Sequence, residues 1–266
     1  MKNTDFIKQF SAPMRICAAL LLCLSFVLLS PVGTKADDSS QTWEAYQVEY
    51  SEDMLGMAVS ACQGDIVLDG GISSVAIAKD GTTAVLGETS SVGERIILVF
   101  DADGSFSYGC RIKIYNVRGG DRVLFMSTHD LYYYATIIPR SRGAGLGRYL
   151  FALADHGAAV EKAYLFPDTE SLRSIGVDTT FDSIYESIAP YSPVSIEELS
   201  KGKIVVYNAM SKKRIELINC EEAYQSRKRR VTLFTVLAFC FVYTLVGGLF
   251  IRNRRATLHR CGRDED

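Results

Sequence analysis

Two histidines in the middle of the chain stand next to acidic residues. His129 is followed by Asp130, and His156 follows Asp155. A histidine beside a carboxylate can act as a general acid or base, or it can hold a metal ion. The chain has no HExxH motif and no His/Cys spacing typical of a metal site, so we expect both histidines to satisfy turns. The sequence therefore assigns no catalytic residue, no cofactor-binding residue, no cofactor and no metal ligand.

The segment from Asp101 to Gly104 (DADG) matches half of a calcium-binding loop. A complete EF-hand loop needs a third ligand before the glycine and a Glu six residues after it, where this chain has Cys110. Asp-Gly is also a strong turn signal, because the glycine accepts a positive φ. We expect a turn here and no calcium site.

The segment Arg140–Arg148 (RSRGAGLGR) has alternating glycines that suggest a phosphate-binding loop. The dinucleotide fingerprint would need glycine at Arg148, and a Walker loop would need Gly-Lys-Ser/Thr. The segment is therefore predicted to be a flexible loop.

Several tyrosines lie close together in the sequence, and such residues can line a carbohydrate- or peptide-binding surface. They are Tyr108, Tyr115 and the run from Tyr132 to Tyr134. Tyrosine is also enriched in strands, where alternate residues face the core. We expect this second role for most of them.

Three cysteines lie between the two apolar segments of the chain: Cys62, Cys110 and Cys220. Their odd number allows one bridge, with Cys62–Cys110 as the favoured pair. It equally allows three reduced and buried thiols. The sequence leaves both alternatives open.

The most distinctive segment is residues 231–251, which is uncharged over twenty-one residues. A helix of this length covers about 30 Å, the thickness of the hydrocarbon core of a bilayer. Residues 227–230 form a basic juxtamembrane segment before it, and arginines follow it. The sequence therefore predicts one transmembrane helix and a lipid bilayer as partner.

The N-terminus has the pattern of an export signal in residues 1–36. Basic residues precede the apolar stretch Ile16–Ser30, and Ala36 offers a cleavage position. An uncleaved N-terminal anchor is the alternative. Either reading places residues 37–226 outside the cytoplasm and residues 252–266 inside, as a cytoplasmic tail. Counting Lys and Arg around residues 231–251 alone slightly favours the reverse orientation, with seven upstream against five downstream.

Residues 37–230 are long enough for one domain and carry 20 Lys/Arg against 27 Asp/Glu, a net charge of −7. An acidic domain is unsuited to nucleic acid, whose binding depends on neutralising phosphates. Short β-branched and aromatic runs separated by Gly/Asp turns predict antiparallel strands. The predicted strands are Val75–Lys79, Thr82–Gly87, Arg95–Asp101, Phe106–Tyr115, Arg122–Ser127, Leu131–Ile138, Lys203–Asn208 and Arg214–Asn219.

Short helices are predicted at Thr169–Ile175, at Phe181–Ile188, and from the capping-box pattern Ser195–Glu198 to a stop at Gly202. The segment Ala158–Phe166 fits either a strand or a buried helical turn. From Glu221 onward the chain is predicted to become helical and to continue into the apolar segment. The fold class is thus mostly β, with a few short helices and one C-terminal transmembrane helix.

The segment between Ser74 and Arg111 resembles one blade of an NHL-type β-propeller, in which a strand ending in Asp-x-Asp-Gly precedes a strand with Phe. The hairpin KIVVYNAMSKKRIELIN before the apolar segment is blade-like too. The order of parts resembles uncharacterised single-pass membrane proteins of Gram-positive bacteria. The resemblance implies propeller-like blades or a meander and brings no catalytic residues. Closure into a ring usually takes at least four blades, which 194 residues can barely supply.

These features favour a membrane-anchored extracytoplasmic module that binds or senses a ligand, with no visible catalytic constellation. A first alternative is an accessory subunit of a membrane assembly that contacts a membrane-protein partner. A second is a cell-envelope hydrolase that uses His129 or His156. Alanine at both histidines should leave function unchanged unless the hydrolase hypothesis is right.

Overall fold

The computed structural model describes residues 44–64, 66–118, 120–126, 130–140, 145–175, 177 and 184–261. The signal segment, His129 and Gly143 of the sequence predictions lie outside these residues. Strands are the most abundant secondary structure of the described chain. They are β1 (Gln47–Val48), β2 (Met57–Cys62), β3 (Gly71–Ile77), β4 (Thr83–Glu88), β5 (Glu94–Phe100), β6 (Phe106–Ile114), β7 (Arg122–Phe125), β8 (Leu131–Ile137), β9 (Gly147–Ala154), β10 (Ala159–Phe166), β11 (Tyr185–Ile188), β12 (Val194–Leu199), β13 (Lys203–Asn208) and β14 (Lys213–Asn219).

Three α-helices and two short 3-10 turns complete the described chain. The helices are α1 (Glu52–Leu55), α2 (Thr169–Ser174) and α3 (Glu221–Cys261), and the 3-10 turns are Glu44–Tyr46 and Asp155–Gly157. The prediction of mostly β-structure with few helices is therefore confirmed.

The central sheet has six strands in the order β11-β3-β4-β5-β6-β2. Strands β3 to β6 form the predicted antiparallel meander. Gly81 and Gly104 have φ of +94° and +87° in the turns after β3 and β5. These positive φ values explain why Asp-Gly marks both hairpins, since glycine adopts them without a steric penalty.

A five-stranded sheet, β1-β10-β9-β8-β7, packs on one face of the central sheet, and a three-stranded sheet, β12-β13-β14, packs on the other. Side chains along β4 and β5 alternate between the two interfaces. Leu86 and Ile97 point to the five-stranded sheet, whereas Val85 and Leu98 point to the three-stranded sheet. Both faces of the central sheet are thus buried, which accounts for its near-continuous apolar strands.

A third apolar cluster covers the outer face of the five-stranded sheet. Leu150 and Phe166 contribute from the sheet, and Leu172 contributes from α2. Asp168 caps α2, because its carboxylate accepts a hydrogen bond from the Ser171 amide at 2.7 Å. The helix predicted at Thr169–Ile175 is confirmed.

The helix predicted at Phe181–Ile188 is wrong over its described part, where Tyr185–Ile188 forms β11. This strand pairs in parallel with β3, with Tyr185 opposite Ser74. The outer edge of β3 would otherwise leave backbone groups unpaired. A pairing partner more than a hundred residues away therefore determines the local structure.

The capping-box pattern at Ser195–Glu198 also does not form a helix, because these residues belong to β12. Val194 and Ile196 pack into the core shared with the central sheet. The Glu198 carboxylate contacts the Lys203 ammonium at 3.0 Å across the sheet instead of reaching back to an amide. Core burial and cross-strand pairing override the local capping signal.

The ambiguous segment Ala158–Phe166 resolves as β10. Strands β1, β2 and β9 were not among the predicted elements. The segment Arg140–Arg148, predicted to be a loop, becomes strand β9 at Gly147. The predicted hairpin before the apolar segment is confirmed as β13–β14. Strand β14 begins at Lys213, one residue earlier than predicted.

The described strands form three open sheets stacked face to face, and no closed ring of blades occurs among them. Of the two predicted arrangements, propeller-like blades or a meander, strands β3–β6 form a meander. The Asp-x-Asp-Gly turn that resembled a propeller blade is a hairpin turn of the central sheet, where Asp101 N–H donates to the Ser105 carbonyl at 2.9 Å.

Helix α3 follows directly after β14 and is long and apolar enough to cross a membrane. Its most apolar window lies within Glu221–Val246, and none of that window is buried against the rest of the chain. Val231 begins the apolar part, ten residues after Glu221. The predicted C-terminal span thus corresponds to a helix that projects from the sheets.

Candidate functional site

The first turns of α3 pack against a set of residues that we call the helix socket: Asp69, Gly70, Gly71, Thr89 and Gly202. These residues come from the ends of β3, β4 and the β12–β13 turn. Hydrogen bonds close the socket: the Ile72 amide donates to the Lys201 carbonyl at 2.7 Å, and the Cys220 amide donates to the Gly202 carbonyl at 2.7 Å.

Arg227 fixes α3 to the socket through its guanidinium group. Its Nη1 donates a hydrogen bond to the Thr89 carbonyl oxygen at 2.8 Å. The same nitrogen lies 3.6 Å from a carboxylate oxygen of Asp69. Side chains of a helix point back toward its N-terminus, which directs Arg227 at the sheets. One member of the basic juxtamembrane segment therefore has a structural partner, whereas its neighbours Lys228 to Arg230 are exposed.

Glycines are required where α3 meets the sheets. A Cβ at Gly70 would lie 2.5 Å from both Nη1 of Arg227 and Cβ of Glu88. A Cβ at Gly71, where φ is +100°, would lie 3.0 Å from the ring of Tyr224. A Cβ at Gly202 would lie 2.6 Å from the Cα of Glu221. Each glycine allows a backbone approach that a side chain would block.

The β4–β5 turn, Thr89–Gly93, connects the socket to a second feature. At its first residue, Thr89 binds Arg227. At its last residue, the Gly93 carbonyl oxygen accepts a hydrogen bond from the Ile114 amide at 2.7 Å. A Cβ at Gly93 would lie 2.9 Å from the Tyr115 ring, so this ring lies against the turn. One five-residue turn thus contacts both α3 and the end of β6.

Beside Tyr115 lies an open cleft of about 210 Å³ that we call the charged pocket. The pairing of Met57 with Ile114 brings α1 next to the end of β6 and so forms the cleft. Two acidic side chains, two basic side chains, one tyrosine and three small or apolar residues line it: Glu52, Asp53, Lys113, Arg140, Tyr115, Gly56, Met57 and Ala58.

Local backbone structure positions the acidic and the basic side chains that line the pocket. Ser51 caps α1 by accepting a hydrogen bond from the Met54 amide, which places Glu52 in the first turn. The Arg140 amide donates to the Met54 carbonyl oxygen at 2.9 Å. A Cβ at Gly56 would lie 2.7 Å from Nε of Arg140, so this side chain covers the end of α1. The pocket can offer carboxylates to a cationic group and a guanidinium and an ammonium to an anionic group.

Tyr50 supports the floor of the pocket. Its hydroxyl donates to the Met57 carbonyl oxygen at 2.8 Å. Burial, with a smaller contribution from the nearby Glu52 carboxylate, raises the pKa of Tyr50 to about 12. Tyr50 therefore remains a neutral hydrogen-bond donor at neutral pH.

A buried polar cluster closes the sandwich at the same end of the central sheet. The Arg95 guanidinium forms an ion pair with Asp121, whose carboxylate also accepts a hydrogen bond from the Tyr133 hydroxyl at 3.0 Å. Arg95 additionally pairs with Glu88 at 3.2 Å. Burial raises the pKa of Tyr133 well above its ordinary value, and the Asp121 carboxylate adds to this shift. The cluster joins the start of β5 to the start of β7, with Asp121 and Tyr133 buried and Glu88 at the surface.

Of the described residues singled out from sequence, Tyr115 and Arg140 line the pocket, whereas His156 and the turn Asp101–Gly104 do not. His156 is exposed, and its ring contacts the ring of Tyr108 edge-on, with 5.0 Å between centroids. Asp103 accepts hydrogen bonds from the amide and hydroxyl of Ser105, and these bonds lower its pKa. The predicted turn at Asp101–Gly104 is confirmed. Within the described ranges, no group of three His, Cys, Asp or Glu side chains could hold a metal ion.

The tyrosines divide between core and surface as alternation predicts. Tyr133 and Tyr134 are buried on opposite faces of β8. Tyr115, just beyond β6, is 62 % exposed. The predicted core role is therefore confirmed for Tyr133 and Tyr134, whereas Tyr115 lines the pocket.

Cys62 and Cys110 form no disulfide in the structure. They lie on adjacent strands, but Cys110 pairs with Ala61 and Cys62 pairs with Gly109. Successive side chains of a strand point to opposite faces, so the two sulfur atoms lie on opposite sides of the sheet. The favoured bridge is therefore wrong. Cys110 is fully buried, and burial raises the pKa of its thiol to about 12.

Sequence reasoning missed the socket and the pocket because their residues are far apart in the chain. The consecutive glycines Gly70-Gly71 gave one local signal, since glycine pairs mark close backbone approach. Comparison with protein-family models, curated proteins and solved structures finds no match for this chain.

Proposed function

We propose that the protein is a membrane-anchored binding and sensing module. In this proposal α3 spans the bilayer, residues 37–226 lie outside the cytoplasm as a ligand-binding head, and residues 252–266 form the cytoplasmic tail. The charged pocket receives the ligand. The single observation that carries the proposal is the β4–β5 turn, which contacts the pocket wall at Gly93 and the helix at Thr89.

The shape and charge of the pocket favour a small zwitterionic ligand. Its volume of about 210 Å³ is below the range of roughly 300–1,000 Å³ that is typical of drug-sized sites. Glu52 and Asp53 can bind an ammonium group, while Lys113 and Arg140 can bind a carboxylate or phosphate. An amino acid, a dipeptide or the end of a peptide chain has both groups at a suitable size.

The contacts of the turn supply a route by which an occupied pocket can affect α3. A ligand that orders Tyr115 and Lys113 also restricts the turn that packs against Tyr115. The same turn supplies the carbonyl oxygen that holds Arg227.

The ligand proposal is tested by thermal unfolding of the full chain in lipid nanodiscs with the dipeptide Ala-Ala as probe. We expect Ala-Ala to raise the unfolding temperature, and acetate or ethylammonium alone to have little effect. Lys113→Ala should weaken binding about tenfold or more, because it removes a charge-assisted hydrogen bond. Lys79→Ala changes another exposed lysine, at the other end of the central sheet, and is the matched control.

Equal responses to Ala-Ala and to the singly charged probes would contradict the zwitterion proposal. A response to Ala-Ala that survives Lys113→Ala would place the ligand elsewhere on the head.

A further inference from the structure

The end of the head next to α3 carries an exposed apolar side chain that the proposed ligand site does not explain, and an exposed tyrosine of that site lies beside it. Val92, at the tip of the β4–β5 turn, is 89 % exposed, and Tyr115 beside it is 62 % exposed. We call these two residues the lip. Removing an apolar side chain from water is favourable, and the described residues leave Val92 almost fully exposed.

The position of the lip along α3 points to the bilayer. Arg227 binds Thr89, three residues before Val92. Val231, the first residue of the apolar segment, follows Arg227 by four residues, which is about 6 Å of helix. The polar headgroup layer on each side of a bilayer is roughly 5–8 Å thick. A span that starts at Val231 therefore places the contact between Arg227 and Thr89 at headgroup level.

The chemistry of this end of the head fits the same layer. Tyrosine is enriched at membrane–water interfaces, where its ring is buried and its hydroxyl remains hydrated. Exposed Lys113 and Arg118 flank Tyr115 in sequence, and Arg229 and Arg230 follow Arg227 in α3. Cations at this depth can bind lipid phosphates.

We propose that the lip inserts into the headgroup layer of the bilayer that α3 crosses, so that the head rests on the membrane at a second point. The partner is the phospholipid surface itself. This inference rests on the proposed membrane anchoring. It adds that the head has a fixed tilt relative to α3 and that the charged pocket, which Tyr115 lines, opens beside the headgroups.

The test uses tryptophan fluorescence of the full chain in phosphatidylcholine vesicles, with or without bromine on the acyl chains near the glycerol. The single native tryptophan, Trp43, is replaced by phenylalanine. One tryptophan is then introduced by V92W in the lip, by F239W in the apolar segment, or by M210W. Met210 is the matched control, because it is 82 % exposed on the β13–β14 turn at the opposite end of β14 from α3.

We expect brominated lipid to quench F239W strongly and V92W substantially, and to leave M210W unchanged. If brominated lipid quenches F239W but quenches V92W no more than M210W, the proposed insertion of the lip is wrong and the membrane anchoring still holds. Loss of quenching in F239W would overturn the anchoring itself. Shielding of V92W from aqueous iodide without quenching by brominated lipid would mean that a protein covers the lip, which also overturns the proposal.

Discussion

Arg227 and Thr89 are 138 residues apart in the chain and are joined by a hydrogen bond of 2.8 Å between the guanidinium and the backbone carbonyl oxygen. The bond connects the polar turn of α3 that precedes the apolar segment to the turn between β4 and β5. It makes the junction of sheet and helix an ordered contact. The head and the apolar segment are thereby coupled at a defined atom pair.

The substitution Arg227→Ala should loosen this junction. It removes a charge-assisted hydrogen bond and a long ion pair from a side chain that is 32 % exposed, so we expect a loss of about 1 kcal/mol in the free energy of unfolding. Hydrogen exchange of the amides at Ser90 to Gly93 should accelerate. Arg229→Ala is the control, because Arg229 is exposed. Equal exchange in both variants would show that the bond is not formed in the membrane.

Gly70→Ala should destabilise the socket. The added Cβ would lie 2.5 Å from Nη1 of Arg227, whose side chain would have to move, and 2.5 Å from Cβ of Glu88, where β4 would have to shift. We expect this overpacking to cost about 2 kcal/mol in the free energy of unfolding. The measurement is urea unfolding of the full chain in detergent. Gly145→Ala is the matched control, since a Cβ there meets nothing within 4 Å. If the two alanine variants are equally stable, the close approach of α3 to Gly70 is wrong.

Asp121→Asn should be among the most damaging single changes in the head. It leaves the largely buried Arg95 without its nearest counter-charge and weakens the acceptor of the Tyr133 hydroxyl. Breaking a buried pair in this way costs about 3–5 kcal/mol. Glu197→Gln disrupts an exposed pair with Arg214, with both side chains about half exposed, and should cost less than about 1 kcal/mol. Thermal unfolding of both variants measures the difference.

The head should lose stability at alkaline pH as buried tyrosines ionise. The pKa of Tyr50 is raised from 10.0 to about 12 in the folded state. This contribution is fully present below pH 10, and it is lost as pH rises from about 10 to 12, because the unfolded chain ionises first. Tyr50→Phe should therefore make unfolding less dependent on pH in this window. Tyr191→Phe, at a ring that is 95 % exposed, is the control substitution.

The meander β3–β6 could be predicted from sequence because its signals are local. Asp80-Gly81 and Asp103-Gly104 mark the turns, and β-branched runs mark the strands. Strand β11 could not be predicted, because its pairing with β3 joins residues more than a hundred positions apart. The pattern at Ser195–Glu198 was misleading, since burial of Ile196 against the central sheet outweighs a local cap.

The contrast between local signals and contacts of distant residues also explains why the site could not be predicted from sequence. The sequence marks residues 227–230 only as a basic juxtamembrane segment, and nothing near them in sequence indicates that Arg227 binds Thr89. The charged pocket depends on the β2–β6 pairing, which brings Glu52 beside Lys113. The sequence contains the charges, but only the sheet register brings them together around one pocket.

The central claim is that the head lies outside the cytoplasm, next to a helix that spans the membrane. Labelling of intact cells with a membrane-impermeant maleimide tests this claim most directly. The Met210→Cys substitution supplies the target, because residue 210 is on an exposed turn of the head, and an epitope tag on the C-terminal tail is the control. We predict that the Met210→Cys chain is labelled in intact cells, while the tag becomes accessible only after permeabilisation. Labelling of the Met210→Cys chain only after permeabilisation would place the head in the cytoplasm and contradict this account.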